Sequence, residues 1–221
     1  MKNPVAVIFD MDGVIIDSNP HHKISLRQFC EKYGYKLSDE ELIKKIYGRT
    51  NKEWIATLFG KPLTAAELSA YGEEKEKLFR DIYEKDIKAL PGLEDFLKKL
   101  RENNIPNAIG TSAPRSNVDF VLDQLHLRKY FDVILDESNV NHGKPNPEIY
   151  LKVAAKLQYP PEQCIVFEDS LSGVASAQAA GCKVVGVTTT HSKEELAHTD
   201  FVIDDFVGLD PIELIKQIFK K

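Results

Sequence analysis

Four short stretches carry residues whose types could do chemistry together. Asp10 and Asp12 stand one residue apart after the apolar run Val5-Ala6-Val7-Ile8-Phe9 and are followed by Gly13. Thr111-Ser112-Ala113 joins hydroxyls to backbone N–H groups at a helix entrance, a natural anion site. Lys144 is held between Gly143 and Pro145, and Glu168-Asp169 closes the run Ile165-Val166-Phe167. Neighbouring acids repel each other and are costly to desolvate unless a cation or a shared proton compensates. Carboxylates in this number suit a hard divalent ion bound through oxygen, and Mg²⁺ takes one or two of them with water and phosphate. Lys144 and Ser112 would then hold phosphate oxygens. The inventory is that of phosphoryl transfer, in which the protein positions groups and neutralises charge.

Such residues need elements that converge on one edge. Residues 5–9 read as a strand buried on both faces. If the chain stays extended, Asp10 and Asp12 emerge on the same side, and Gly13 lets the backbone turn away. In an open α/β sheet, ligands sit outside the carboxyl ends of the strands. Beyond Pro91-Gly92 the sequence predicts strands over 107–111, 131–135, 163–167, 183–187 and 201–203. Helical patterns over 93–102, 115–125, 147–157, 172–180 and 211–219 alternate with them, which implies parallel βαβ units. Residues 19–90 carry helix signals alone. A pattern over 22–33 stops at Gly34, with Asp17 as its expected cap. Ser38 with Glu41, and Thr64 with Glu67, form capping boxes opening helices toward Tyr47 and Tyr83, and Asn51 can cap a helix over 52–59. The expected architecture is α/β: a Rossmann-like parallel sheet core with helices on both faces (1–17 and 91–221), plus an inserted all-helical cap domain (18–90).

The bulk properties narrow the function classes. The 221 residues, 43% hydrophobic and 29% charged, can hold one core and a smaller module. A net charge of -5 with no basic block argues against nucleic acid as a partner. No apolar run approaches the roughly 20 residues that span a bilayer, and no leader pattern opens the chain, so a cytoplasmic monomer is expected. Cys30, Cys164 and Cys182, far apart among apolar neighbours, read as reduced packing residues. No G-x-G-x-x-G follows the first strand, which argues against a dinucleotide site. A phospho-receiver domain would set its acids side by side and would lack the helical insert.

Asp10-x-Asp12-Gly13-Val14, Thr111-Ser112, Lys144-Pro145 and Glu168-Asp169-Ser170 resemble the four ordered signatures of the haloacid dehalogenase superfamily. They recur in order over almost the whole chain, and the helical block lies where that family inserts its cap. The nearer likeness is to its β-phosphoglucomutase and small sugar-phosphate phosphatase branch. The resemblance implies that Asp10 attacks phosphorus and becomes an aspartyl phosphate, while Asp12 protonates the leaving oxygen and later takes a proton from water. It implies a Mg²⁺ site of Asp10, the main-chain carbonyl of Asp12, Asp169 and Glu168, with Ser112, the Ala113 N–H and Lys144 gripping the transferring group. A true dehalogenase needs no acid at Asp12. Within the cap, His22 falls where the mutase-like members place a histidine. Their phosphate-holding arginine, three residues after a glycine, is here Asn51, and Arg49 is displaced by two residues. Lys75, Lys77 and Arg80 could meet anions, although a solvated helix face explains them equally well. The expected activity is Mg²⁺-dependent hydrolysis of a small phosphorylated metabolite, sugar-phosphate-like. The alternatives are a hexose-phosphate mutase and an inorganic pyrophosphatase.

Overall fold

The computed structural model describes residues 4–38, 40–42 and 51–220, the side chains of Lys52 and Glu53 excepted. Six strands make one sheet: β1 (Ala6–Phe9), β2 (Asn107–Gly110), β3 (Val133–Leu135), β4 (Cys164–Glu168), β5 (Lys183–Val187) and β6 (Phe201–Ile203). Their order is β3-β2-β1-β4-β5-β6, with every pairing parallel. Eight helices are described: α1 (Asn19–Lys32), α2 (Asn51–Phe59), α3 (Ala65–Tyr83), α4 (Leu93–Glu102), α5 (Arg115–Gln124), α6 (Glu148–Leu157), α7 (Leu171–Ala179) and α8 (Pro211–Phe219). None is long and apolar enough to cross a membrane.

The chain divides into two compact units, Met1–Asp17 with Ile87–Lys221, and Ser18–Asp86. In the first, the central strand β1 is buried throughout, as its unbroken apolar run requires. One sheet face packs Phe9, Phe96, Phe167 and Phe206 ring against ring, Phe9 stacking on Phe167 at 5.1 Å. The other buries Tyr150, Val153, Ala154, Val174 and Ala177 from α6 and α7. In α4, Leu93, Phe96, Leu97 and Leu100 form the buried stripe that their spacing predicts. From β1 the sheet grows outward to β3, then restarts on the opposite side of β1 at β4. That reversal opens a crevice outside the carboxyl ends of β1 and β4.

The second unit is helical over its described residues. Phe29, Trp54, Phe59 and Tyr71 form its aromatic core with Tyr33, Phe59 stacking on Tyr71 at 4.6 Å. Thr64 and Glu67 form the expected capping box at the start of α3. Ser38 and Glu41 exchange the same reciprocal bonds. The body of that helix lies outside the described residues. Asp17 does not cap α1: the N-cap is Ser18, whose side chain makes no capping bond to the first turn, and Pro20 there has no N–H for a cap to satisfy. Asn51 lies within helix α2 as described, not ahead of it as a cap.

Candidate active site

Register brings the chemistry to one edge. Phe9 pairs with Ile109 on one side and Phe167 on the other, so Asp10, Thr111 and Glu168 all lie at the carboxyl end of the central strands. The Asp10 N–H still bonds the Phe167 carbonyl at 3.0 Å, but the chain then curls. Val14, Ile15 and Ile16 all direct their N–H groups at the Met11 carbonyl. The extended run therefore stops before Asp12, and strand alternation does not place the two acids as expected. Asp12 instead lies half-buried in the loop, bridging to Ile16. Gly13 takes φ 79°, and a Cβ there would come within 1.9 Å of an Asp169 oxygen. Only glycine lets this loop close against that carboxylate.

Asp10, Glu168 and Asp169 are all buried, and each offers an oxygen within 4.8 Å of the others. Lys144 reaches into the group, its Nζ 2.8 Å from Asp10 Oδ1 and 2.5 Å from Glu168 Oε1. The Tyr150 hydroxyl, from α6, donates to the same Glu168 oxygen at 2.5 Å, and the Lys144 ammonium lies 5.0 Å from the Tyr150 ring centre. The other Glu168 oxygen accepts from the Asp169 N–H, the Ser170 N–H and the Ser170 hydroxyl. Thr190 donates to Asp169, and Thr189 donates to the Gly13 carbonyl at 2.6 Å. The loop after β5 thus ties down both sides of the acid group.

Three carboxylates face one ammonium in a dry place. Burial pushes the Asp10 carboxyl up to about 7 even though Lys144 pulls it down, with Glu168 and Asp12 adding to the rise. Burial, then Glu168 and Asp10, push Asp169 to about 8. Burial alone would lower the Lys144 pKa, yet Asp10 and Glu168 hold it above its ordinary value, so it is a fixed cation. Burial and the nearby carboxylates raise Tyr150 well above the usual phenol range, which keeps it a proton donor to Glu168. The donor set is all oxygen, and the charge it lacks is positive. Both properties fit a hard divalent cation.

The second expected anion grip is built differently. Ser112 is exposed and is not a helix cap, because α5 starts beyond it with Pro114 as its N-cap. The Ala113 N–H, expected to point at phosphate, donates to Thr111 Oγ1 at 3.1 Å, since a threonine two residues back can close such a turn.

In the helical unit, half-buried His22 and Asn51 join buried Lys75 and Glu76 in one polar chain. The Trp54 indole donates to Asn51 Oδ1 at 2.8 Å, and the Asn51 amide donates to Glu76 Oε1 at 2.8 Å. Lys75 meets that Glu76 oxygen at 3.0 Å and His22 Nδ1 at 2.9 Å. His22 stacks on Phe79 with ring centres 3.6 Å apart. Lys75 is 6% exposed, so it is no solvated-face residue, whereas exposed Lys77 pairs with Asp81 and Arg80 pairs with Glu73. Arg49 lies outside the described residues. Sequence reasoning missed Tyr150, Thr189 and Thr190. The threonines were findable, as a polar run at the end of a fifth strand; Tyr150 reads only as a core position.

A family model described as haloacid dehalogenase-like hydrolase matches residues 7–187. The "Phosphorylated carbohydrates phosphatase" of Thermotoga maritima is 37% identical over 82% of this chain and 84% of its own length. Among solved structures, a HAD hydrolase of family IA, variant 3, from Entamoeba histolytica superposes with a TM-score of 0.88 at 34% identity, covering 97% of this chain and 99% of that one. The β-phosphoglucomutase of Clostridium difficile superposes at 0.83 with 28% identity, covering 97% of each chain.

Proposed function

Because the chain belongs to the haloacid dehalogenase-like hydrolases, we propose that it is a Mg²⁺-dependent phosphatase acting on a small, sugar-phosphate-like metabolite through an aspartyl phosphate on Asp10. The observation that carries this reading is the buried group of Asp10, Glu168 and Asp169 with its single lysine, at the mouth of the β1/β4 crevice. Asp10 attacks phosphorus and the ester oxygen departs, taking its proton from Asp12. Asp12 then accepts a proton from water, which attacks the phosphoaspartate and frees inorganic phosphate. Lys144 holds Asp10 in line and balances the phosphoryl charge, while Ser112 donates to a phosphoryl oxygen, joined by the Ala113 N–H once it gives up its bond to Thr111 Oγ1. Asp10, Asp169, Glu168 and the Asp12 carbonyl would hold Mg²⁺, which supplies further neutralisation of the phosphoryl oxygens. Residues 18–90 serve as the cap that selects the substrate, as the family resemblance implies.

The relative named for phosphorylated carbohydrates supports the substrate class. The likeness to β-phosphoglucomutase makes a hexose-phosphate mutase the second reading. A panel of phosphorylated metabolites, assayed for phosphate release with Mg²⁺ and with EDTA, tests both. Sugar phosphates should release phosphate, and EDTA should stop it. Conversion of β-glucose 1-phosphate to glucose 6-phosphate without phosphate release, given catalytic 1,6-bisphosphate, would overturn the hydrolase reading. Pyrophosphate as the one good substrate would leave hydrolysis standing but overturn the sugar-phosphate substrate class.

A further inference from the structure

Cys164 opens β4, and Cys182 stands one residue before β5. The two strands pair in parallel with Ile165 opposite Lys183, and the same ladder carried one step back sets Cys164 opposite Cys182. Residues paired across neighbouring strands lie about 4.8 Å apart. That is within the roughly 4.4–6.8 Å between Cα atoms that a disulfide spans. Both side chains lie on one face, in the buried cluster that includes Leu157, Tyr159, Ala177 and Ala180. Interaction with the Cys182 thiol draws the Cys164 pKa below its ordinary value, against the rise that burial brings. The Cys164 thiol in turn reaches the Pro160 carbonyl at 3.6 Å.

The pair is buried but thinly covered. Cys182 keeps 7% of its surface exposed, and the adjoining Gly181 and Pro160 are exposed. Cys164 itself is fully buried, so peroxide reaches the pair from the Cys182 side, and the short turn Pro161–Gln163 leads directly into Cys164. Neither sulfur has a part in the phosphoryl chemistry, because both stand where their strands begin and the acids stand where strands end. Both are free thiols.

We propose that Cys164 and Cys182 form a peroxide-responsive dithiol that closes reversibly to a disulfide between the beginnings of β4 and β5. The Cys164 thiolate attacks one oxygen of hydrogen peroxide, the O–O bond breaks, and hydroxide leaves a sulfenic acid on Cys164. The Cys182 sulfur then displaces the hydroxyl, forming the S–S bond. Two electrons pass from sulfur to peroxide, and the two thiol protons end in two waters. The closed ring contains Glu168, Asp169 and the whole of α7, so the bridge removes conformational freedom from the unfolded form of the segment that carries two of the three buried acids.

The test uses the whole protein, exposed to hydrogen peroxide, then denatured and alkylated with iodoacetamide. One alkylated cysteine, Cys30, is expected in place of three, with a peptide joining positions 164 and 182. Dithiothreitol should restore three alkylation sites. The oxidised protein should also unfold at a midpoint higher by roughly 5 °C. Three alkylated cysteines after peroxide, or stable oxygen additions on Cys164 without the joined peptide, would overturn the proposal. In the C182S protein, Cys164 should be trapped as a dimedone adduct; a peroxide-treated C182S protein that alkylates fully at Cys164 would count against it equally. None of these readouts is turnover, so the result stands apart from the phosphatase assignment.

Discussion

The two units each bury a lysine beside a glutamate, and the surroundings make them different devices. In the helical unit, Lys75 and Glu76 balance one charge against one, and the rest of the chain, His22, Asn51 and Trp54, closes the remaining hydrogen bonds. In the sheet unit, Lys144 meets Asp10 and Glu168 at once, with Asp169 adjoining. The first arrangement is complete and fixes shape. The second carries surplus negative charge that a fold would not bury without a use for it. Buried charge by itself therefore does not mark a reactive site; buried charge left out of balance does.

Several substitutions break or sharpen that contrast. Asp10→Asn should abolish phosphate release, by roughly 10⁴-fold or more, because the amide cannot become the phosphoenzyme and Asp12 is assigned to proton transfer. Steady-state assay on an aryl phosphate reads it, and a wild-type rate would end the proposed mechanism. Lys144→Met should cost roughly 10²–10³-fold in turnover, since it removes a fixed cation from the transferring group. In the balanced cluster, Glu76→Leu strands Lys75 and should cost about 3 kcal/mol in denaturant unfolding. Its Mg²⁺ affinity by calorimetry should stay at the wild-type value, and a tenfold loss would erase the distinction between the clusters. The smallest effect is on pH dependence. The fold holds Asp10 at about 7 and Asp169 at about 8, above the ordinary 3.8, so it favours their protonated forms. That stabilisation is complete below the ordinary 3.8, declines as pH rises above it and is gone once pH passes about 7 for Asp10 and about 8 for Asp169. In EDTA the melting midpoint should fall by roughly 5 °C between pH 5.5 and 8.5, and saturating Mg²⁺ should flatten the curve.

The sequence carries the sheet plainly. Short runs such as Ala6–Phe9 and residues 164–167 are apolar without interruption, and burial on both faces leaves no other sense for them. The strand-end rule also leads to Asp10, Thr111 and Glu168, because local pattern and register coincide there. It fails one residue further on, where Met11 starts a turn that alternation cannot foresee. Lys75 is illegible for another reason. It stands among Glu73, Glu74, Glu76 and Lys77, a charged run that reads as solvent-facing, and its burial depends on His22 far away in the chain. Tyr150 hides in the opposite way, since a tyrosine on an apolar helix stripe gives no sign that its hydroxyl holds an acid in place.

The central position of β1 also bears on how the molecule is made. Its Val7 finds one neighbour at Asn107 and the other at Ile165, so this strand waits through more than 150 residues of synthesis before both its edges are paired. Until β4 emerges, four apolar residues and an open backbone edge have no native mate there. A nascent chain with that layout is slow to complete and prone to sticking to its neighbours. Synthesis that stalls before residue 164 should therefore yield aggregate rather than a smaller folded protein.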